Sequence, residues 1–234
     1  MPSGPRWKTK TPLRILAAVP LLLLQFSIQA QPAPADTTSA RWEKDIRAFE
    51  QADSLAFPPA GAVLFVGSST IRLWPDIRLD FPGITVIQRG FGGSKISDAI
   101  HFAHRIILPY RPRLVVLYAG DNDLAAGQSP GLASANFQTL ADTVLRRLPD
   151  ARLAFLAIKP SVARWHLIDS IREANRQIRD FCGNNPRLVY IDVFTPMLGA
   201  DGLPRRDWLA EDGLHLNRAG YAAWTSILAP YLQP

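Results

Sequence analysis

Five short apolar runs, each separated from the next by a helix-length segment, constrain this chain more than anything else in it. They are Ala62–Val66, Ile84–Ile87, Leu114–Tyr118, Leu153–Ile158 and Leu188–Ile191, bounded by Gly, Pro and Arg. Runs this short and rich in Val, Ile and Leu read as strands buried on both faces. The segments between them carry helical stripes: Ile96, Ile100, Ala103 and Ile107 in one, Phe137, Leu140, Ala141, Val144, Leu145 and Leu148 in the next. A further helix is expected from about Val162 to Phe181, stopping near Gly183. The last carries Tyr221, Trp224, Ile227 and Leu228 behind Asn217 as cap. Upstream, Trp42, Ile46 and Phe49 mark a first helix with Ser39 as its cap. Strands alternating with helices predict a parallel sheet covered on both faces, an α/β chain built as a three-layer α/β/α sandwich. Residues 41–234 read as one domain, within the size a single core supports.

The net charge of +6 raises the question of nucleic acid, and its location answers it. Residues 1–30 hold Arg6, Lys8, Lys10 and Arg14 and no acidic residue; the remaining 22 basic side chains nearly balance 20 acidic ones. No nucleic-acid partner is expected. Those first residues have the order of a secretory signal peptide: a basic section, the apolar run Ile15–Ile28, and Ala30 as a small residue for cleavage. An uncleaved anchor is the alternative. Residues 31–40, "QPAPADTTSA", read as a linker, and the mature chain is expected to be secreted or periplasmic, without a stable membrane anchor. Cys182 is the single cysteine, so no intramolecular disulfide can hold the fold.

In open parallel sheets, ligands bind at the carboxyl ends of the strands. Four segments stand at such places: Gly67-Ser68-Ser69-Thr70, "QRGFGGSK", Gly120-Asp121-Asn122-Asp123, and Asp212-Gly213-Leu214-His215 before the last helix. Each alone reads as a turn or cap. Together they hold the parts of acyl transfer. A serine hydroxyl needs a base to take its proton, and the base, His215, needs a carboxylate, Asp212, to orient it. Three residues apart, the two are expected on one face of a helical turn. Glycine N–H groups and an Asn amide supply donors for an oxyanion.

The four segments resemble, in order and spacing, the conserved blocks of the SGNH/GDSL hydrolase superfamily, over roughly Ala62 to Leu232. The pattern is similar in particular to compact bacterial esterases of the platelet-activating-factor acetylhydrolase type. The resemblance implies a flavodoxin-like five-stranded parallel sheet. "FVGSSTIRLW" resembles the nucleophile block and implies Ser69 as nucleophile, with Ser68 where the family has Asp. "QRGFGGSK" implies Gly93 as an oxyanion donor, with Gln88 in place of the usual Asn, which calls its turn-bracing bond into question. "YAGDNDL" implies Asn122 as amide donor, and "EDGLHLNRAGY" implies Asp212 and His215. The function implied is a secreted serine esterase that removes a small O-acyl or acetyl group, on a carbohydrate, through an acyl-enzyme. The alternatives are a lysophospholipase or short-chain lipolytic acylhydrolase, and a non-catalytic binding module. A small-molecule ester is the expected partner, with no cofactor and no metal.

Other chemistry-bearing residues have blander readings. His101 and His104 lack a third ligand at metal spacing and read as solvated. His166 reads as a surface or rim residue, Trp74 and Trp165 as core or site wall, Trp224 as core, and Cys182 as a small core residue. Arg72, Lys159 and Arg164 lie near strand ends, read as partly exposed charge, and are the candidates for holding an anionic substrate. The irregular segment Thr195–His215 is expected to wall the site.

Overall fold

In the computed structural model, residues 1–4 and 39–233 are described; most of the proposed signal sequence and of the linker lies outside them. The runs form β1 (Val63–Gly67), β2 (Val86–Gly90), β3 (Leu114–Tyr118), β4 (Arg152–Leu156) and β5 (Leu188–Ile191), paired parallel in the order β2-β1-β3-β4-β5. Every side chain of β1 and β3 is buried, as the continuous apolar runs require of central strands.

Helices α1 (Glu43–Leu55), α2 (Ser69–Arg72), α3 (Ile77–Asp80), α4 (Ile96–Ile106), α5 (Asp121–Ala125), α6 (Pro130–Arg147), α7 (Ile168–Cys182) and α8 (Arg218–Leu232) fill the connections. One face of the sheet packs Leu64, Val66, Val115 and Leu117 against Ile46, Phe102, Phe137 and Ile178. The other packs Phe65, Val116 and Leu156 against Trp74, Trp224 and Leu228. The result is the three-layer sandwich, with the sheet buried between two helical layers.

Three local expectations are corrected. The second strand begins later and runs on through Gln88 and Arg89, because both polar side chains have partners inside the protein: Gln88 on carbonyls of the α2 turn, Arg89 on Tyr110 and Asp53. Ser39 does not cap α1; it is buried in a short 3-10 turn, Ser39–Trp42, and its Oγ donates to Asp98 Oδ1 at 2.6 Å. The helix expected from Val162 starts only at Ile168, since Ala163 N–H is drawn to Gly213 O and Arg164 to Asp121 and Asn122. Asn217 does cap α8, accepting from Gly220 N–H at 3.0 Å.

Candidate active site

β1 ends at Gly67 with φ of 140°, where an added Cβ would lie 1.9 Å from Tyr118 O; only glycine allows this approach. Ser68 follows in extended backbone, its N–H on Tyr118 O at 2.9 Å, and α2 begins at Ser69. The two serines therefore diverge. Ser68 is buried and its Oγ has no partner among the described residues, whereas Ser69 is half-buried on a pocket of about 650 Å³. The short α2 turn is clamped from three sides. Gln88 Nε2 donates to Ile71 O and Trp74 O at 2.6 and 2.9 Å, so glutamine makes the brace that its presence had put in question. Tyr221 OH donates to Thr70 O at 2.9 Å, and Gly90 lets the α2 backbone rest against the end of β2.

Asp212 and His215 lie in an irregular turn, not a helical one. Asp212 Oδ1 accepts from the N–H groups of Leu214 and His215, each at 2.9 Å, an Asx-type turn helped by Gly213 at φ of 63°. Its Oδ2 is then 2.6 Å from His215 Nδ1, and His215 Nε2 is 2.9 Å from Ser69 Oγ. The bond to His215 and the two N–H groups hold the Asp212 carboxyl down to about 2. An ionised carboxylate only accepts, so the ring proton sits on Nδ1, and the Nε2 of a neutral ring is left to accept the Ser69 hydroxyl proton.

Gly93 at φ of 77°, Asn122 at the start of α5, and Ser69 all line the same pocket. Among the described residues, the N–H groups of Gly93 and Ser69 donate to no other group. Asn122 is tethered at both ends: Nδ2 donates to Ser94 O at 3.0 Å and Oδ1 accepts from Arg164 Nη2 at 2.9 Å. One amide proton of Nδ2 remains free. Arg164 also forms an ion pair with Asp121 at 2.9 Å, too bent to count as a hydrogen bond. Next door, burial raises Asp123 to about 6, and its carboxylate accepts from Ile96 N–H at the head of α4.

The structure sorts the remaining candidates. Lys159 is not partly exposed: it is buried, and Nζ donates to Leu214 O at 2.6 Å. Arg72 is exposed on the pocket rim. His101, His104 and His166 are exposed, and among the described residues no three His, Cys, Asp or Glu side chains group as a metal site. Trp74, Trp224 and Cys182 are core. The segment Thr195–His215 is divided. Its end, Leu214 and His215, lines the pocket of Ser69, while Gly199–Asp201 and Leu203–Asp207 wall a separate hollow of about 850 Å³ with Val162 and Trp165. Arg41, Trp42 and Asp45 also line the pocket of Ser69. Sequence reading missed them because the Ser39–Trp42 turn and α1 precede the first strand and carry no strand-end signal.

No curated protein matches the chain. Several solved structures share its fold. A Streptococcus pneumonia protein named for platelet activating factor superposes with a TM-score of 0.74 at 20% identity, over 84% of this chain and 95% of its own. A GDSL-like lipase from Bacteroides thetaiotaomicron gives 0.68 at 18%, over 80% and 96%. A carbohydrate esterase family 3 protein from Talaromyces cellulolyticus gives 0.58 at 17%, over 74% and 96%. At these identities the likeness is one of fold. The sequence profile of the GDSL-like lipase/acylhydrolase family matches residues 53–223, which hold all four segments, and by that match the chain belongs to this family of ester-bond hydrolases.

Proposed function

We propose that the protein is a secreted serine esterase acting through Ser69, His215 and Asp212. The observation that carries this reading is the unbroken hydrogen-bonded line from Asp212 Oδ2 through the imidazole to Ser69 Oγ, opening on a pocket. Ser69 Oγ attacks the acyl carbon as its proton passes to His215 Nε2, and Asp212 steadies the imidazolium. The N–H groups of Ser69 and Gly93 and the Asn122 amide receive the oxyanion. Collapse expels the alcohol, which takes the proton from His215 and leaves an acyl-Ser69. Water, deprotonated by the same ring, then releases the acid. The proposed substrate is a small O-acyl group, acetyl on a carbohydrate; the fold neighbours named as carbohydrate esterases support that choice. Secretion rests on the basic-then-apolar leader.

A fluorophosphonate probe tests the assignment. Peptide mapping should find the label on Ser69, and Ser69→Ala should abolish both labelling and hydrolysis of 4-nitrophenyl acetate. Label on Ser68 would reject the nucleophile; a wild type that neither labels nor turns over would reject the esterase reading in favour of a binding module.

A further inference from the structure

Three cations were candidates for holding an anionic substrate, and the structure leaves one of them unengaged. Lys159 is buried on Leu214 O, and Arg164 is committed to Asp121 and Asn122. Arg72 has no hydrogen-bond or ion-pair partner among the described residues, yet it is not loose. It sits one helical turn beyond Ser69, and its guanidinium lies over Gly92, so close that a Cβ there would be 2.8 Å from Nε. Arg41 reaches the same pocket, stacked 3.7 Å above the Trp42 ring. Among the described residues, Asp45 is the only carboxylate that lines the pocket. A planar guanidinium with five donors on the rim of a pocket matches a carboxylate or phosphate.

Resting on the esterase reading, we propose that the substrate ester carries an anionic group, carboxylate or phosphate, received by Arg72 with Arg41 beside it. The test compares kcat/KM for matched pairs. The mono-4-nitrophenyl ester of adipic acid against its monoamide places the anion on the acyl side. On the alcohol side, 4-acetoxybenzoate and 4-acetoxyphenyl phosphate are set against 4-acetoxybenzamide. One arm should favour the anion by about tenfold, less at high salt, and Arg72→Gln should bring that ratio near one. Ratios of one or below in both arms, or a preference that survives Arg72→Gln, would overturn the proposal while turnover of the neutral esters kept the esterase reading intact. A wild type inert on every ester would overturn both.

A different contact carries a second inference. Trp42, buried and edge-on to Phe91, donates its indole N–H to Gly92 O at 2.8 Å. That carbonyl belongs to the same peptide unit as the Gly93 N–H. A trans peptide is planar with its C=O and N–H opposed, so fixing one aims the other. Bonding at the carbonyl also polarises the amide and strengthens its donor. Arg41 adds a bond to Gly93 O at 3.3 Å. Trp42 lies upstream of residues 53–223, outside the segment that defines the family.

We infer that Trp42 is a positioning residue for the Gly93 oxyanion donor, and this too rests on the esterase reading. Trp42→3-benzothienylalanine keeps the ring shape and replaces the N–H by sulfur; Trp42→Phe is the simpler companion. Both should lower kcat about tenfold with KM for 4-nitrophenyl acetate within twofold, and both should shift the Gly93 amide resonance. An unchanged kcat in the folded benzothienyl variant would overturn the inference, as would a loss that follows KM instead.

Discussion

Lys159 Nζ stands 2.6 Å from Leu214 O, inside the turn that carries Asp212 and His215. A buried ammonium thus holds the middle residue of the turn on which both sit. It reaches that turn from beyond the carboxyl end of β4, so one bond ties the sheet to the turn that carries the proposed base.

Lys159→Met removes that bond at similar volume and leaves Leu214 O without its donor. Loss of about 1–3 kcal/mol in urea unfolding is expected, with a fall in kcat larger than any change in KM. The pH dependence has a definite sign. Burial lowers the Lys159 ammonium to about 8 from the usual 10.5. A base with a depressed folded pKa contributes stability above pH 10.5 that is lost as pH falls through 8. The stability of wild type relative to Lys159→Met should therefore increase from pH 8 to 10.5. A flat difference would show that Lys159 does not titrate from a buried position.

Asn122→Ala should lower kcat by roughly 10²–10³-fold with KM little changed, since the amide acts on charge that develops only in the transition state. Arg164→Met leaves the amide in place but frees Oδ1, and should cost kcat less than Asn122→Ala while also lowering Tm, because Asp121 loses its ion-pair partner. Equal kcat losses in the two variants would mean that Arg164 does more than orient Asn122.

Two carboxyls predict different pH behaviour. Asp212, held at about 2, stays ionised across the working range, so it should add no ionisation to the kcat/KM profile above about pH 3. Asp123, raised to about 6 from 3.8 by burial, affects folding. Its contribution is present below pH 3.8 and lost as pH rises through 6. Asp123→Asn should remove that slope, so the variant gains on wild type between pH 4 and 6 in chemical denaturation.

Gly90→Ala places a Cβ 2.3 Å from Arg72 N, a backbone atom that cannot step aside. A loss of about 3 kcal/mol or more is expected, with any folded fraction showing a displaced Ser69 and reduced kcat. A variant with wild-type Tm and activity would mean that α2 can move away from β2 freely.

The strands were legible because their apolar runs are continuous and their ends carry turn residues; Ser69, Gly93, Asn122, Asp212 and His215 were singled out through the resemblance of their four segments to family blocks, and the last two lie in a turn well beyond the end of β5. What escaped the sequence depends on partners far along the chain. Gln88 and Arg89 look too polar for a buried strand until Ile71, Trp74, Tyr110 and Asp53 are placed around them. Lys159 looks like surface charge until Leu214 O is found beneath it. Val162–Leu167 has apolar residues at helical spacing, yet its backbone and Arg164 are spent on the catalytic turn and Asn122. Trp42 follows a leader and a proline-rich stretch, and nothing local hints that its indole reaches Gly92.

The bond between His215 and Ser69 joins residues 146 apart in the chain. During synthesis, Ser69, Gly93 and Asn122 all emerge long before His215 does. A chain halted anywhere before the Asp212–His215 turn has the Ser69 hydroxyl but lacks Leu214 and His215 from the wall of its pocket. On the proposed assignment, esterase activity needs nearly the whole polypeptide, so its return during refolding would report that the Asp212–His215 turn has reached Ser69.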